Sequence, residues 1–364
     1  MDPQHAALGA QERTPSEVAT TPWAWVPDPA AWCETLIEPL LSWTPSLTLD
    51  SARVKFALAD AIDQRCPWLR HPCLSPLTMP HAANALGRDV QGVAWLAAHS
   101  DHELGVVQIP LPLMLWSPGG AVSVAAGEYE LRQLGTIVQA HPTPVPLALD
   151  VWCHTIGYPL EGSWAAEATE IVTVEEQRLT AEIVDYCRAI ALTAHLMPPL
   201  FQWLRTATQV VIPTRGGTGG FRSGSQANLP GLVYSDLHGG RMQILETLVH
   251  ETAHNHLYVA EATAPLIDPA HTERYSSPLR PEPRPLRGIL LACHALAYIC
   301  AAIRDARQSG FVDDESSAAT LHDLRERMDV AEETLLAQER HLTAWGHRFF
   351  EQTREVCAYG RAAA

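Results

Sequence analysis

The segment His250-Glu251-Thr252-Ala253-His254 carries the sharpest chemical signal in this sequence. Apolar residues repeat around it at helical spacing, so the segment is predicted to lie on a buried helix. Two histidines four residues apart share one helix face and can direct both imidazoles at one metal ion. Glu251 lies about 100° further around the helix, where it can act as a base or hold another ligand. The sequence therefore predicts a metal site at His250 and His254, with Glu251 as the candidate catalytic residue.

The third metal ligand is left open by the sequence, because the compact third histidine of the metzincins is missing. Glu261 lies about 10 Å further along the helix than His254, too far for the same ion, and is expected at a solvated helix end. His256 points away from His254 and is expected to be a surface or packing residue. His294 is the predicted third ligand, because a neutral metal-bound imidazole fits its apolar helix, where a hydrogen-bonded core histidine would fit as well. Glu273 is the alternative third ligand.

A run rich in proline and arginine follows the motif after about 20 residues. It reads Tyr275-Ser276-Ser277-Pro278-Leu279-Arg280-Pro281-Glu282-Pro283-Arg284-Pro285-Leu286-Arg287-Gly288-Ile289-Leu290. Together with the upstream motif it resembles the HExxH-motif peptide-modification family, whose members carry a similar Tyr-x-x-Pro-x-Arg-x-x-Pro-Arg-Pro-Leu-x-Gly-x-Leu pattern. That family is associated with ribosomally synthesised, post-translationally modified peptides. The resemblance covers residues 220–305 and implies Fe(II)- and 2-oxoglutarate-dependent β-hydroxylation, with O2, of a residue in a precursor peptide.

The arginines of this run suit the cosubstrate that the resemblance implies. Non-haem Fe(II) oxygenases typically bind iron through two histidines and a carboxylate, which leaves positions for a 2-oxo acid and O2. The far carboxylate of 2-oxoglutarate needs a planar bidentate donor, which is arginine chemistry. Arg287 shares a helix face with His294, and Arg284 matches the family pattern. The cofactor-binding candidates are Arg280, Arg284, Arg287 and Tyr275, although arginines at a helix entry also occur as plain surface charges.

A glycine-rich stretch, residues 216–225, precedes the metal motif. It matches neither the dinucleotide-binding glycine pattern nor a Walker loop, so nucleotide binding is not supported. Ser223 and Ser225 are candidate substrate-binding hydroxyls, and the neighbouring strand could offer an edge to an extended peptide. A plain flexible hairpin would explain the same residues.

Composition and charge exclude several other classes of function. The chain has 364 residues and a formal net charge of -16, which disfavours nucleic acid and membrane surfaces as partners. Lys55 is the single lysine, so Schiff-base chemistry is not expected. The sequence opens without a secretory pattern, which predicts a cytoplasmic protein with reduced cysteines. The longest apolar stretch, Gly288 to Ile303, is too short and too polar for a bilayer span and is expected to be a buried helix.

The order of the predicted elements indicates an α+β chain. We expect a disordered arm over 1–22, a mixed α+β region over 23–205 that could recognise a peptide or partner, and a mainly helical HExxH metal-binding catalytic domain with a small sheet over 206–364. Strands are predicted near 121–124, 146–152, 209–212 and 231–234. Helices are predicted from Thr173 to about Pro198, Arg241 to Ala260, Arg287 to Arg304 and Ala318 to Cys357.

Three functions remain open at this point. The first is an Fe(II)/2-oxoglutarate-dependent hydroxylase. The second is a zinc metallopeptidase in which Glu251 activates a zinc-bound water, with Zn in place of iron. The third is a catalytically inactive peptide-binding module. The arginine- and proline-rich run favours the hydroxylase, because hydrolysis needs no diacid cosubstrate.

Overall fold

The computed structural model describes residues 22–24, 48–64, 66, 69, 74, 85–117, 120–139, 150–151, 168–171, 177–216, 223–227, 230–237 and 239–362. The structure is a mixture of helices and small sheets, which agrees with the predicted α+β class at this coarse level. The predicted arm lies outside the described residues apart from Pro22, as do residues 217–222 of the glycine-rich stretch.

Nine α-helices are formed within the described residues: α1 Ser51–Asp63, α2 Ala85–His99, α3 Leu131–Gln139, α4 Gln177–Leu196, α5 Pro198–Ala207, α6 Arg241–Thr263, α7 Leu286–Gln308, α8 Asp314–Ala337 and α9 Ala344–Arg361. The described strands are β1 Thr48–Leu49, β2 Val106–Ile109, β3 Leu113–Ser117, β4 Gly120–Val124, β5 Gly127–Glu130, β6 Asp150–Val151, β7 Ala168–Ile171, β8 Val210–Gly216, β9 Ser223–Ser225, β10 Leu232–Ser235, β11 Arg274–Tyr275 and β12 Arg284–Pro285. Short 3-10 turns occur at Pro22–Ala24 and Glu339–His341.

The central sheet has the strand order β6-β8-β10-β9, and β7 also pairs with β8. Strands β6, β8 and β10 run parallel, whereas β9 is antiparallel to β10 at the end of the order. Successive side chains of a strand point to opposite faces. Accordingly Val211 and Val233 pack into a core built from helices α4 to α9, while Val210 and Leu232 pack into a second core. The sheet thus lies between two cores, and its β9 end meets α6.

The second core belongs to the N-terminal part of the chain. It contains buried residues of α1, α2 and α3, together with residues of the antiparallel sheet β1-β2-β5 and the hairpin β3-β4. The predicted strand near 121–124 is confirmed as β4. Of the strand predicted over 146–152, the described part is β6, and the rest lies outside the described residues.

Helix α7 is the axis of the C-terminal helical layer and packs against α6, α8 and α9. Among the described residues it is the one helix long and apolar enough to cross a membrane by length and composition. Its apolar stretch is 83% buried inside the protein, which is typical of a core helix. The predictions for α6 and α7 are confirmed within a few residues at each end.

The single helix predicted from Ala318 to Cys357 is wrong, because α8 and α9 are separate helices. Thr343 ends the interruption: its hydroxyl accepts from the Gly346 N–H as an N-cap and donates to the carbonyl of Pro265. A side chain at Gly346 would collide with the Leu266 carbonyl. The chain therefore breaks where it packs against a distant loop, which helical periodicity does not report.

The helix predicted from Thr173 to about Pro198 is confirmed at its C-terminal end, since α4 ends at Leu196. A further helix, α5, follows at once and was missed. Pro198 and Pro199 occupy its first turn. Proline suits that position because its missing N–H would have no intrahelical partner there. The same residue that stops one helix therefore begins the next.

Candidate functional site

The two motif histidines lie side by side in the middle of α6. The ring centroids of His250 and His254 are 4.5 Å apart and their planes meet at 79°. Leu245, Leu248 and Val249 are buried against the helical core and hold this part of the helix in place. The helix therefore presents two adjacent imidazoles on one face, as the spacing predicts.

The protonation state of His254 suits a metal ligand. Burial lowers its pKa well below the ordinary value, and the charges of His250, His294 and Arg287 lower it further. Its Nδ1 atom is buried and has no hydrogen-bond partner among the described residues. A metal-binding imidazole has to be neutral, so the direction of this pKa shift suits a metal ligand. The histidine pair therefore fits a metal such as iron or zinc.

The opposite side of α6 is bonded to the sheet and to α5. The hydroxyls of Thr252 and Thr208 are 2.7 Å apart, and the side-chain oxygen of Asn255 accepts from the backbone N–H of Gly231 at 3.1 Å. His256 stacks on Trp203 with ring centroids 4.6 Å apart and is fully buried. The expectation that His256 is a packing residue agrees with this environment. These contacts fix the rotation of α6 and hence the direction of its histidine face.

Strand β9 holds the Glu251 carboxylate. Ser223 donates to one carboxylate oxygen at 2.6 Å and Ser225 donates to the other at 2.7 Å. The two serines are two residues apart on a strand, so both side chains lie on the face that meets α6. The Glu251 side chain is 3% exposed. The predicted substrate-binding hydroxyls thus contact the predicted catalytic residue.

Tyr258 is a site residue that the sequence analysis missed. It continues the stripe of His250 and His254 by one more helical turn, a signal that periodicity alone could have revealed. Burial raises its pKa to about 12, the Glu251 charge adds to the shift, and a hydrogen bond with Ser225 opposes it. The phenol therefore stays protonated beside the carboxylate and can donate a hydrogen bond.

The side chain of Arg287, at the start of α7, reaches the face of α6 that carries His254 and Tyr258. Its Nε and Nη2 atoms donate to the two carboxylate oxygens of Glu261 at 2.6 and 2.5 Å. The guanidinium lies 5.8 Å from the Tyr258 ring centroid. The Glu261 side chain is only 18% exposed. The expectation of a solvated helix end at Glu261 is therefore wrong, because the folded start of α7 covers it.

The two candidate third ligands, His294 and Glu273, lie in different environments. His294 is buried in α7, with Nδ1 3.0 Å from the Thr353 hydroxyl and its ring against Phe349. Glu273 is exposed and accepts from the Tyr275 hydroxyl at 3.0 Å. Within the described part of the chain, no three His, Cys, Asp or Glu residues form a group that could hold a metal ion. The histidine pair is thus not joined by a third such ligand there.

The remaining cofactor-binding candidates lie on the β11-β12 hairpin and its connection. Tyr275 contacts His271 and Gln338 through its hydroxyl, at the end of α8. Arg280 is exposed, and Arg284 is half-buried beside Gly288. No described hydrogen bond joins these residues to His250 or His254. Of the predicted arginines, Arg287 is the one that the fold brings to the histidine face.

Comparison of the chain with models of known protein families and with curated proteins found no match.

Proposed function

We propose that this protein is an Fe(II)/2-oxoglutarate-dependent hydroxylase that acts on a residue of a ribosomally made precursor peptide. The observation that carries the proposal is the position of Arg287, a half-buried guanidinium that lies 5.8 Å from the Tyr258 ring on the helix face of His250 and His254. A bidentate cation beside a neutral histidine pair suits a cosubstrate with a second carboxylate. Hydrolysis of a peptide needs no such group.

His250 and His254 would hold the metal, and His294 and Glu273 remain the candidates for a third ligand. With iron bound, the site would use O2 and 2-oxoglutarate to convert a C–H bond into C–OH, with succinate and CO2 as the other products. The neutral state of His254 supports metal binding, because no proton has to be released from it first.

Glu251 is proposed to be a positioning residue. Both of its oxygens accept serine hydroxyls, an arrangement that fixes the carboxylate and satisfies part of its hydrogen-bonding capacity. A general base of a peptidase has to take a proton from water at the same atoms. Bonding to Ser223 and Ser225 therefore favours a role in orienting ligands or substrate over the zinc metallopeptidase alternative.

The peptide substrate would enter beside β9. Within the described residues β9 pairs with β10 on one side, and its serines lie on the face towards α6. An extended peptide can add to such a strand through main-chain hydrogen bonds. The N-terminal region over 23–205 is proposed to recognise the peptide or a partner, in the cytoplasm.

The test uses protein loaded anaerobically with Fe(II), supplied with 2-oxoglutarate, O2 and a library of synthetic peptides. We expect succinate to form and the mass of an intact peptide to rise by about 16 Da, the mass of one oxygen atom. Zinc-loaded protein serves as the matched control and should form no succinate. Shorter fragments without 2-oxoglutarate or O2 would establish the peptidase instead, and peptide binding without any product would leave the inactive module.

A further inference from the structure

The Arg287–Glu261 pair has the form of a carboxylate-binding site that is already filled by a side chain. The guanidinium uses one edge, Nε and Nη2, to bind both oxygens of Glu261. This bidentate geometry is the one that arginine offers to any carboxylate, including that of a small molecule. The same edge of Arg287 would offer a ligand carboxylate two hydrogen bonds in the same geometry.

The pair lies where a ligand of the histidine face would reach it. Glu261 is seven residues after His254, which places it on the same side of α6 about 10 Å along the axis. The Arg287 guanidinium is also close to the Tyr258 ring, between these two positions on the helix. One end of an elongated ligand at the histidines would thus point along the helix towards Arg287.

The pair is open enough to exchange its partner. The Arg287 side chain is 42% exposed, although Glu261 is largely covered. Water reaches the guanidinium through this exposed part and screens its attraction to Glu261. A second carboxylate tethered at the histidines would compete at a high effective concentration.

We propose that Glu261 occupies, in the ligand-free protein, the place on Arg287 that the distal carboxylate of a dicarboxylate cosubstrate takes on binding. Glu261 is thus an internal competitor that keeps the guanidinium oriented and paired until the cosubstrate arrives. This inference rests on the proposed function, because it assigns the second carboxylate to 2-oxoglutarate. No bond forms or breaks in the exchange.

Competition predicts that the two partners of this ion pair have opposite effects on ligand affinity. Glu261→Gln should tighten the binding of 2-oxoglutarate roughly two- to fivefold, because the competing charge is removed. Arg287→Gln should weaken it by roughly 10-fold or more, because a charged hydrogen-bond donor is lost. A purely structural clamp between α6 and α7 would make both variants bind more weakly.

The experiment is calorimetric titration of 2-oxoglutarate into Fe(II)-loaded protein under anaerobic conditions. Glu332→Gln is the matched control, since Glu332 is a similarly covered carboxylate that pairs with Arg354 and Arg361 between α8 and α9. It should bind like the wild type. 2-Oxopentanoate, which lacks the distal carboxylate, should not respond to Glu261→Gln.

Several outcomes would overturn the exchange. They are equal or weaker binding of 2-oxoglutarate by Glu261→Gln, no binding of 2-oxoglutarate by any variant, and the same effect of Glu261→Gln on 2-oxopentanoate as on 2-oxoglutarate. The proposed function is tested separately by succinate formation. If succinate forms but both variants bind 2-oxoglutarate like the wild type, the exchange proposal alone is wrong. If the two variants shift the affinity in opposite directions but no succinate forms, the proposed oxygenase activity alone is wrong.

Discussion

Helix α6 carries polar residues on two sides, and their environments differ. On one side Thr252, Asn255 and His256 contact the sheet and α5 through hydrogen bonds and ring stacking. On the other side His254 has a buried nitrogen that no described residue bonds. One side of the helix is therefore tied to the sheet and to α5 by several contacts, whereas the His254 Nδ1 atom on the other side makes no such bond within the described residues.

This difference distinguishes the contacts that place the helix from the histidine pair that is proposed to bind metal. A buried polar group that lacks a hydrogen bond costs about 1 to 3 kcal/mol. Such a group persists in a folded protein when a ligand completes it or when selection tolerates the loss. We therefore expect substitutions on the two sides of α6 to separate metal binding from stability.

The largest effect is expected from His254→Gln, compared with His256→Gln on the opposite side. Glutamine replaces the imidazole with an amide of similar size and removes a strong metal ligand. His254→Gln should lower bound metal from about one ion per chain to background, because one histidine alone does not hold the ion. His256→Gln should retain it. Elemental analysis of protein reconstituted with Fe(II) and desalted measures both, and full metal in His254→Gln would refute the site.

The next effect concerns stability. Asn255→Ala removes the acceptor of the Gly231 N–H and leaves that buried donor without its partner. We expect the free energy of unfolding to fall by about 1 to 3 kcal/mol, with metal content unchanged. Urea denaturation of the metal-free protein provides the measurement. An unchanged midpoint would show that the bonded side of α6 does not determine its placement.

The sequence predicts the directions of the side chains on α6 better than the partners that they contact. The spacing of His250 and His254 placed both on one helix face, because helical geometry is local and regular. The same reasoning placed His256 opposite. Bonding of Ser223 to Glu251, by contrast, depends on how β9 docks against α6, which is a tertiary contact between residues 28 apart.

Long-range packing also explains the expectations that were wrong. Glu261 was expected at a solvated helix end, but α7 begins beside it and supplies Arg287. The break between α8 and α9 depends on the loop that contains Leu266, 77 residues before Thr343. Residue patterns describe a helix in isolation, and both differences arise from another part of the chain packed against it.

The smallest expected effect tests whether His294 is a structural residue, like those on the bonded side of α6, or a metal ligand, like His250 and His254. Burial lowers the pKa of His294 well below the ordinary value of 6.5, and the charge of His256 adds to the shift. In the unfolded chain this histidine gains a proton as the pH falls below about 6.5, whereas in the folded protein it stays neutral. Its contribution to stability is therefore present above the unfolded pKa and is lost as the pH falls below it.

His294→Leu should remove this pH dependence. We expect the slope of unfolding free energy between about pH 6 and pH 5 to become shallower by up to about 1.4 kcal/mol per pH unit in metal-free protein. Thr353 keeps a partner in this variant, since its hydroxyl already donates to the Phe349 carbonyl. His322→Leu, at a side chain that is 78% exposed, is the matched control and should leave the slope unchanged. A slope unchanged in His294→Leu as well would contradict a neutral buried histidine, and loss of bound Fe(II) would group His294 with His250 and His254 as a ligand.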